Sequence, residues 1–419
     1  MDGDLKPQSR SLMACADNDT LCIVREYQYE VIIVPVLLIG LFLILLITIL
    51  CLRHRSMKVK DQEIAEAAGE KEQTNVRGNS YIALSEATVQ SVLSSKDPCL
   101  RKLEVSHDSI DGQGEQIQNG SYGPIFKAEM VEENPNRPKA IVIKALRDSS
   151  SLQEMKDFLG QMAFQSQLGH HENIVQLIGC CTDKLPVYAI LECVDHRDLL
   201  TFLWTCRRDV MTMDGIPFDL TERQVYNIAL QVVSGLDFLQ QKKLIHGDVG
   251  ARNVLIQRNF TAKLSGLGAA YEIHTYGDVA TRRQLPAKWM APERILKRPC
   301  GVKSDVWSFG ILLYEMITLG APPYPEIPPS DIFQHLQRGN IMPRPSTCQP
   351  SLYSIMKSCW PWKESSRPSL PELRKRLEVG KRNANDRMVL QVPDLVVPEL
   401  YARVAGIDPV SLAADYTIL

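Results

Sequence analysis

His246-Gly-Asp-Val-Gly-Ala-Arg-Asn-Val-Leu-Ile256, followed by Lys263-Leu-Ser-Gly-Leu-Gly268, is the stretch that decides how the chain is read. It sets a carboxylate (Asp248), a guanidinium (Arg252) and a side-chain amide (Asn253) in one short run that ends in apolar residues. An Asp is a ready proton acceptor, and an Asn oxygen is a hard donor suited to a divalent cation. The second stretch carries Gly266-Leu267-Gly268 and no acid. Across the two stretches Asp248 is the single acidic residue.

Outward from this loop, 419 residues allow two or three domains, or one bilobal domain with tails. A chain that is 45% hydrophobic and 23% charged is ordinarily globular, and a net charge of −2 gives no footing for nucleic acid as a partner. The 11 cysteines lack the C-x-x-C spacing of a zinc site, and adjacent Cys180 and Cys181 read as buried, reduced thiols.

Residues 1–30 form a short polar N-terminus, and Val31 to Leu52 is an uncharged apolar run. That run is long enough to cross a hydrocarbon core of about 30 Å, whereas a buried soluble helix would not need apolar residues all round. Arg53, Arg55, Lys58 and Lys60 follow it, while Arg25 before it is offset by Glu26 and Glu30. The positive-inside rule then expects a membrane-embedded, single-pass protein with its N-terminus outside and its bulk in the cytoplasm. Asn18-Asp19-Thr20 is a glycosylation sequon, and Cys51 is either a palmitoylation candidate or simply the end of the run. Residues 53–111 read as a juxtamembrane linker that carries Tyr81 in a tyrosine-x-x-apolar setting.

Residues 112–379 read as the folded domain and 380–419 as a C-terminal tail. QIQNGSYGPIFKAEM and KAIVIKAL show the alternation and β-branched content of strands around a glycine turn. TERQVYNIALQVVSGLDFLQ and DVWSFGILLYEMITL show helical periods.

Further motifs fall in a fixed order after the opening loop: LPAKWMAPERI (Leu285 to Ile295), SDVWSFGILLYEM (Ser304 to Met316) and CWPWKESSRP (Cys359 to Pro368). With Ala251-Arg252-Asn253, this series resembles a protein-tyrosine kinase domain, of the receptor kind typified by fibroblast growth factor receptors. The resemblance covers about two thirds of the chain. It implies an α+β, bilobal protein-kinase-like fold: a small β-rich N-lobe and a larger helical C-lobe, here preceded by a single transmembrane helix. It also implies ATP and magnesium as cofactors and protein substrates or signalling adaptors as partners. Homo- or hetero-oligomerisation stays open.

Residue by residue, the resemblance makes Asp248 the base, with Arg252 beside it, and Asn253 a magnesium ligand. Ile117, Gly120, Gly123 and Ile125 match the glycine-rich loop, with Gln118 in place of its first glycine. Lys144 matches the lysine that pairs with phosphates, and Gln161 stands where its glutamate partner is expected, with Glu154 as the alternative. Leu191 matches the gatekeeper, and Glu192 and Val194 fall in the adenine-binding hinge. Glu293 and Arg367 match a scaffold ion pair, and Asp305 a support for the catalytic loop. Gly247 replaces an arginine that meets phosphorylated activation loops. Gly266 replaces the metal-gripping Asp, a loss expected to slow transfer at least ~10²–10³-fold.

Two functions follow from this mixture. One is an ATP-dependent protein kinase, weak at its metal site, promoting growth and survival signalling as the resemblance implies. The other is a catalytically inactive scaffold that recruits partners through its fold and tail tyrosines. Tyr401 and Tyr416 are either docking sites for phosphotyrosine-reading domains or parts of an apolar tail packed on the lobe.

Overall fold

The computed structural model describes residues 86–110, 114–131, 138–194, 198–207, 219–277, 285–392 and 398–405. Val31–Leu52, Asn18, Cys51, Tyr81 and Tyr416 lie outside the described residues. Among the described residues no helix is long and apolar enough to cross a membrane. The expected single-pass placement, N-terminus outside and domain cytoplasmic, is corrected on that finding.

The described part begins with two short helices, α1 (Glu86–Ser94) and α2 (Pro98–Arg101), in a stretch whose sequence reads as linker. Their apolar residues Val89, Val92, Leu93 and Leu100 are buried in one cluster with Met155, Phe158, Leu159 and Met162 of a later helix. The strands β1 (Glu115–Asn119), β2 (Pro124–Met130) and β3 (Lys139–Ala145) follow. Then come helix α3 (Leu152–Leu168) and strands β4 (Leu177–Cys181) and β5 (Tyr188–Glu192). The five strands form one antiparallel sheet in the order β1-β2-β3-β5-β4.

Strand alternation decides where the site lies. In β3, Ile141 and Ile143 are buried on the face shared with Ala128, Met130 and Ile190. Val142 and Lys144 therefore point to the opposite face, where Val142 packs on the α3 cluster. The register pairs Lys144 with Ile125 on one side and Ala189 on the other. A slip of one residue would move the lysine away from α3. Helix α3 is started by a reciprocal cap: Ser151 Oγ accepts from Glu154 N (3.2 Å), and Glu154 Oε2 accepts from Ser151 N (2.9 Å).

The larger, helical part contains α4 (Leu199–Thr205), α5 (Glu222–Gln241), the paired short strands β6 (Val254–Ile256) and β7 (Ala262–Leu264), and α6 (Gly268–Tyr276). After it come α7 (Pro292–Ile295), α8 (Val302–Ile317), α9 (Ile332–Gln337), α10 (Pro350–Cys359), α11 (Leu370–Asn383) and α12 (Pro398–Ala405). Helix α8 is buried on nearly every side, its polar Ser304, Asp305, Ser308 and Glu315 included among the buried residues. It forms the floor on which the loop from His246 to Asn253 rests. The α+β, two-lobed expectation is met: a small sheet lobe precedes a large helical one.

Candidate active site

The loop before β6 is fixed from below by buried carboxylates on α8. Asp305 accepts the backbone amides of His246 and Gly247, both at 2.8 Å. Glu315 Oε2 accepts from Ala251 N at 3.0 Å. Burial pushes the Asp305 and Glu315 carboxyls above their usual range, although these amide bonds pull the other way. From the side, Arg294 donates to the Gly247 carbonyl, and His246 Nε2 meets Ser265 O at 2.8 Å.

So held, the loop presents Asp248 in a defined orientation. Arg252 Nη2 donates to Asp248 Oδ1, while Asn253 Nδ2 donates to Asp248 Oδ2 and to its carbonyl, each at 2.8 Å. The Arg252 guanidinium lies 5.2 Å from the ring centroid of Trp289. Burial alone would lower its pKa, but the neighbouring Asp248, Tyr401 and Glu315 raise it. A carboxylate aimed by a fixed guanidinium and a side-chain amide is placed to accept a proton from an approaching hydroxyl.

The metal side differs. Gly266 has φ +72°, and a Cβ there would collide with the Asn253 side-chain amide. Asn253 thus occupies the room that a side chain at position 266 would need. No group of three His, Cys, Asp or Glu residues among the described residues could hold a metal ion. Magnesium demands near-octahedral oxygen ligands and is usually held by carboxylates. One neutral amide turned toward Asp248 does not fit that demand.

Between the lobes, Gly120, Gly123, Ile125, Lys144, Gln161 and Asn253 line one cavity, together with Leu191 and Gly266. The structure thus brings Lys144 and its neutral counterpart Gln161 into the same cleft. Glu154 is spent on the N-cap of α3 instead. Ile117 lies at the β1 bulge, and it, Glu192 and Val194 are not among the lining residues. The Glu192 carboxylate accepts from Gln176 N at 2.8 Å and pairs with Lys263 Nζ at 3.0 Å.

The glycine turn folds into the cleft. Arg147 N and Nε donate to Tyr122 O (2.9 and 3.0 Å), Arg147 Nη2 donates to Ser121 O, and the Tyr122 ring lies 5.2 Å from Phe158 of α3. A Cβ on Gly123 would sit 2.5 Å from Ala145 O, so only glycine allows this approach. The cavity that remains is ≈ 180 Å³, against roughly 300–1,000 Å³ for pockets that enclose a drug-sized ligand. The turn restricts the room in this cleft.

Directly after Gly266-Leu267, α6 packs against α3, which the sequence reading did not anticipate. Tyr271 is buried against Phe164, ring centroids 5.9 Å apart, and its hydroxyl lies against Gly160. Tyr276 Oη donates to Asp157 Oδ1 at 2.5 Å. Ile273 reaches over Gly247, where a Cβ would come within 2.6 Å of Ile273 Cδ1. Glycine at 247 therefore makes room for α6.

The two scaffold positions expected from sequence form tight contacts. Arg367 grips Glu293 with two bonds of 2.7 and 2.8 Å, and Ser304 Oγ adds a third to Glu293 at 2.7 Å. Burial resists the charge on Glu293, but Arg367 and Ser304 hold its carboxyl below the usual range. In the tail, Tyr401 is fully buried, and its hydroxyl donates to Glu315 Oε1 at 2.5 Å. Of its two readings, the structure realises the packed one. Glu315, Trp289 and Arg294 are the site residues that sequence reasoning passed over, and it placed Tyr401 in the tail without connecting it to this loop.

The family described as protein tyrosine and serine/threonine kinase matches residues 112–377 of this chain. The tyrosine-protein kinase STYK1 of Homo sapiens is 53% identical over 419 residues, covering 98% of this chain and 99% of that protein. Its Mus musculus namesake is 51% identical over 422 residues, covering 98% of each. Fibroblast growth factor receptor 1 of Xenopus laevis is 33% identical over 334 residues, or 74% of this chain and 41% of the receptor.

Proposed function

The chain belongs to the protein tyrosine and serine/threonine kinase family, and we propose that it is a signalling protein whose phosphoryl transfer from ATP to protein hydroxyls is slow. The observation that carries this reading is the divided state of the site. Asp248 is held ready by Arg252 and Asn253, while Asn253 fills the room where a metal-gripping carboxylate would stand. A substrate hydroxyl that reaches Asp248 can pass its proton to the carboxylate, and Arg252 keeps that carboxylate aimed. Lys144, at the cleft, supplies positive charge toward the phosphates. ATP would be gripped less well than in a cleft with a glutamate at position 161 and a carboxylate at 266. Losing one electrostatic stabiliser of this kind costs about 10²–10³ in rate.

A second reading is supported by the glycine turn that Arg147 latches into the cleft. In it, the fold recruits signalling adaptors and phosphoryl transfer plays no part. The two separate in one comparison: transfer of the γ-phosphate to a tyrosine-containing polymer by the full chain, beside Asp248→Asn. Slow transfer that disappears in Asp248→Asn supports the weak enzyme. Equal signals from the two proteins would leave only the recruiting role.

A further inference from the structure

The tail helix α12 lies behind the catalytic loop. Its Tyr401, Ala402 and Val404 are buried in the core of the helical lobe. The Tyr401 ring meets two tryptophans edge-on: Trp204 of α4 at 5.5 Å and Trp289 at 5.6 Å between centroids. Trp204 is itself pinned by a bond from its Nε1 to Gly320 O, 2.9 Å. At the end of this slot the Tyr401 hydroxyl donates to Glu315 Oε1, while the other oxygen of that carboxylate holds the Ala251 amide. Glu315 has 0% exposure, so water cannot replace either partner.

We infer that Tyr401 is a positioning residue of the catalytic loop, holding Glu315 on the Ala251 amide and Trp289 beneath Arg252, which in turn holds Asp248. This rests on the reading of that loop as the catalytic one. The chain of contacts runs from the tail to the base without a gap: Tyr401, Glu315, Ala251, and in parallel Tyr401, Trp289, Arg252, Asp248. A buried carboxylate that loses one of two donors must turn or take up a proton, and either change weakens its hold on the remaining amide. Residues 398–405 therefore belong to the catalytic unit although they lie beyond the matched 112–377 domain. A tyrosine in this seat is also closed to a phosphotyrosine-reading partner.

Amide hydrogen exchange on the full chain tests this, with Ala251 as reporter and His246 as internal reference. His246 N is held by Asp305 rather than by Glu315. Tyr401→Phe keeps the ring and removes only the hydroxyl. The expected result is exchange at Ala251 faster by about tenfold or more, with His246 unchanged. Equal acceleration at both amides would mark a general loosening, and no acceleration at Ala251 would mark an idle hydroxyl; either overturns the proposal. Glu315→Gln is the second variant. Its amide can still accept from Ala251 and donate to the Tyr401 oxygen, so protection is expected to stay within about threefold of wild type. A loss as large as that of Tyr401→Phe would assign the hold to charge alone and overturn the proposal. Exchange is read without ATP, so a chain that transfers no phosphate leaves this test standing.

Discussion

At the scale of single residues, Gly266 and Asn253 form one unit. The positive φ of Gly266 and the Asn253 amide against it leave no room for a Cβ. Gly266→Ala is expected to cost about 1–3 kcal/mol in a denaturant titration, from left-handed strain and overpacking. A change below about 0.5 kcal/mol would mean that Asn253 swings aside freely. For the same reason Gly266→Asp alone is not expected to rebuild the metal site, because the new side chain arrives where Asn253 already sits. The Glu293–Arg367 pair gives a second residue-scale expectation. Glu293→Gln strands a buried guanidinium and should cost about 3–5 kcal/mol at pH 7. Since the folded Glu293 carboxyl lies below its ordinary value of 4.5, its contribution is present above about that pH and fades as pH falls through the folded value. Measured against pH, the gap between wild type and variant should narrow on the acid side.

Elements were legible in proportion to how local their causes are. The alternation of KAIVIKA sends Lys144 to the cleft face whatever surrounds it, and the loop around Asp248 carries its own hydrogen-bonding residues. Helix α6 was not legible. Its nine residues hold no strong apolar stripe, and its seat depends on Gly160 in α3 and Gly247 in the catalytic loop, both distant in sequence. Likewise α1 and α2 read as linker because their partners are on α3, more than 50 residues on. Gly247→Arg tests the α6 seat. Its side chain would start within 2.6 Å of Ile273 Cδ1, and glycine's φ of +77° adds strain. Exchange of the amides from 268 to 276 should rise by about tenfold or more, while amides of α8 keep their protection. Unchanged protection across α6 would show that the arginine fits beside it.

For the whole molecule, buried thiols set the alkaline limit. Burial pushes Cys180, Cys181, Cys206, Cys348 and Cys359 each from an ordinary 9.0 up to about 12. Above about pH 9 the unfolded chain releases these protons and the folded one does not, so stability falls as pH rises toward 12. Lys288 acts in the opposite sense, because burial lowers it to about 8 and stability gained from it grows between there and 10.5. Burial also raises Tyr226, to about 12, together with Tyr324 and Tyr401, and these act in the same sense as the thiols, so one group against them all leaves a net loss. The melting temperature under reducing conditions should therefore drop steadily above about pH 9, and a flat profile to pH 11 would contradict the burial of these thiols and phenols. The tail was the least legible part at this scale. Nothing within 398–405 announces that Tyr401 ends on Glu315, 86 positions earlier.

The measurement that bears most directly on the divided site is ATP binding by the full chain with magnesium and with a chelator. With Asn253 in the carboxylate's place, the expected result is the same weak affinity in both conditions. Magnesium-dependent tightening of about tenfold or more would contradict it, because such a gain requires a metal ligand set that the site around Gly266 does not supply.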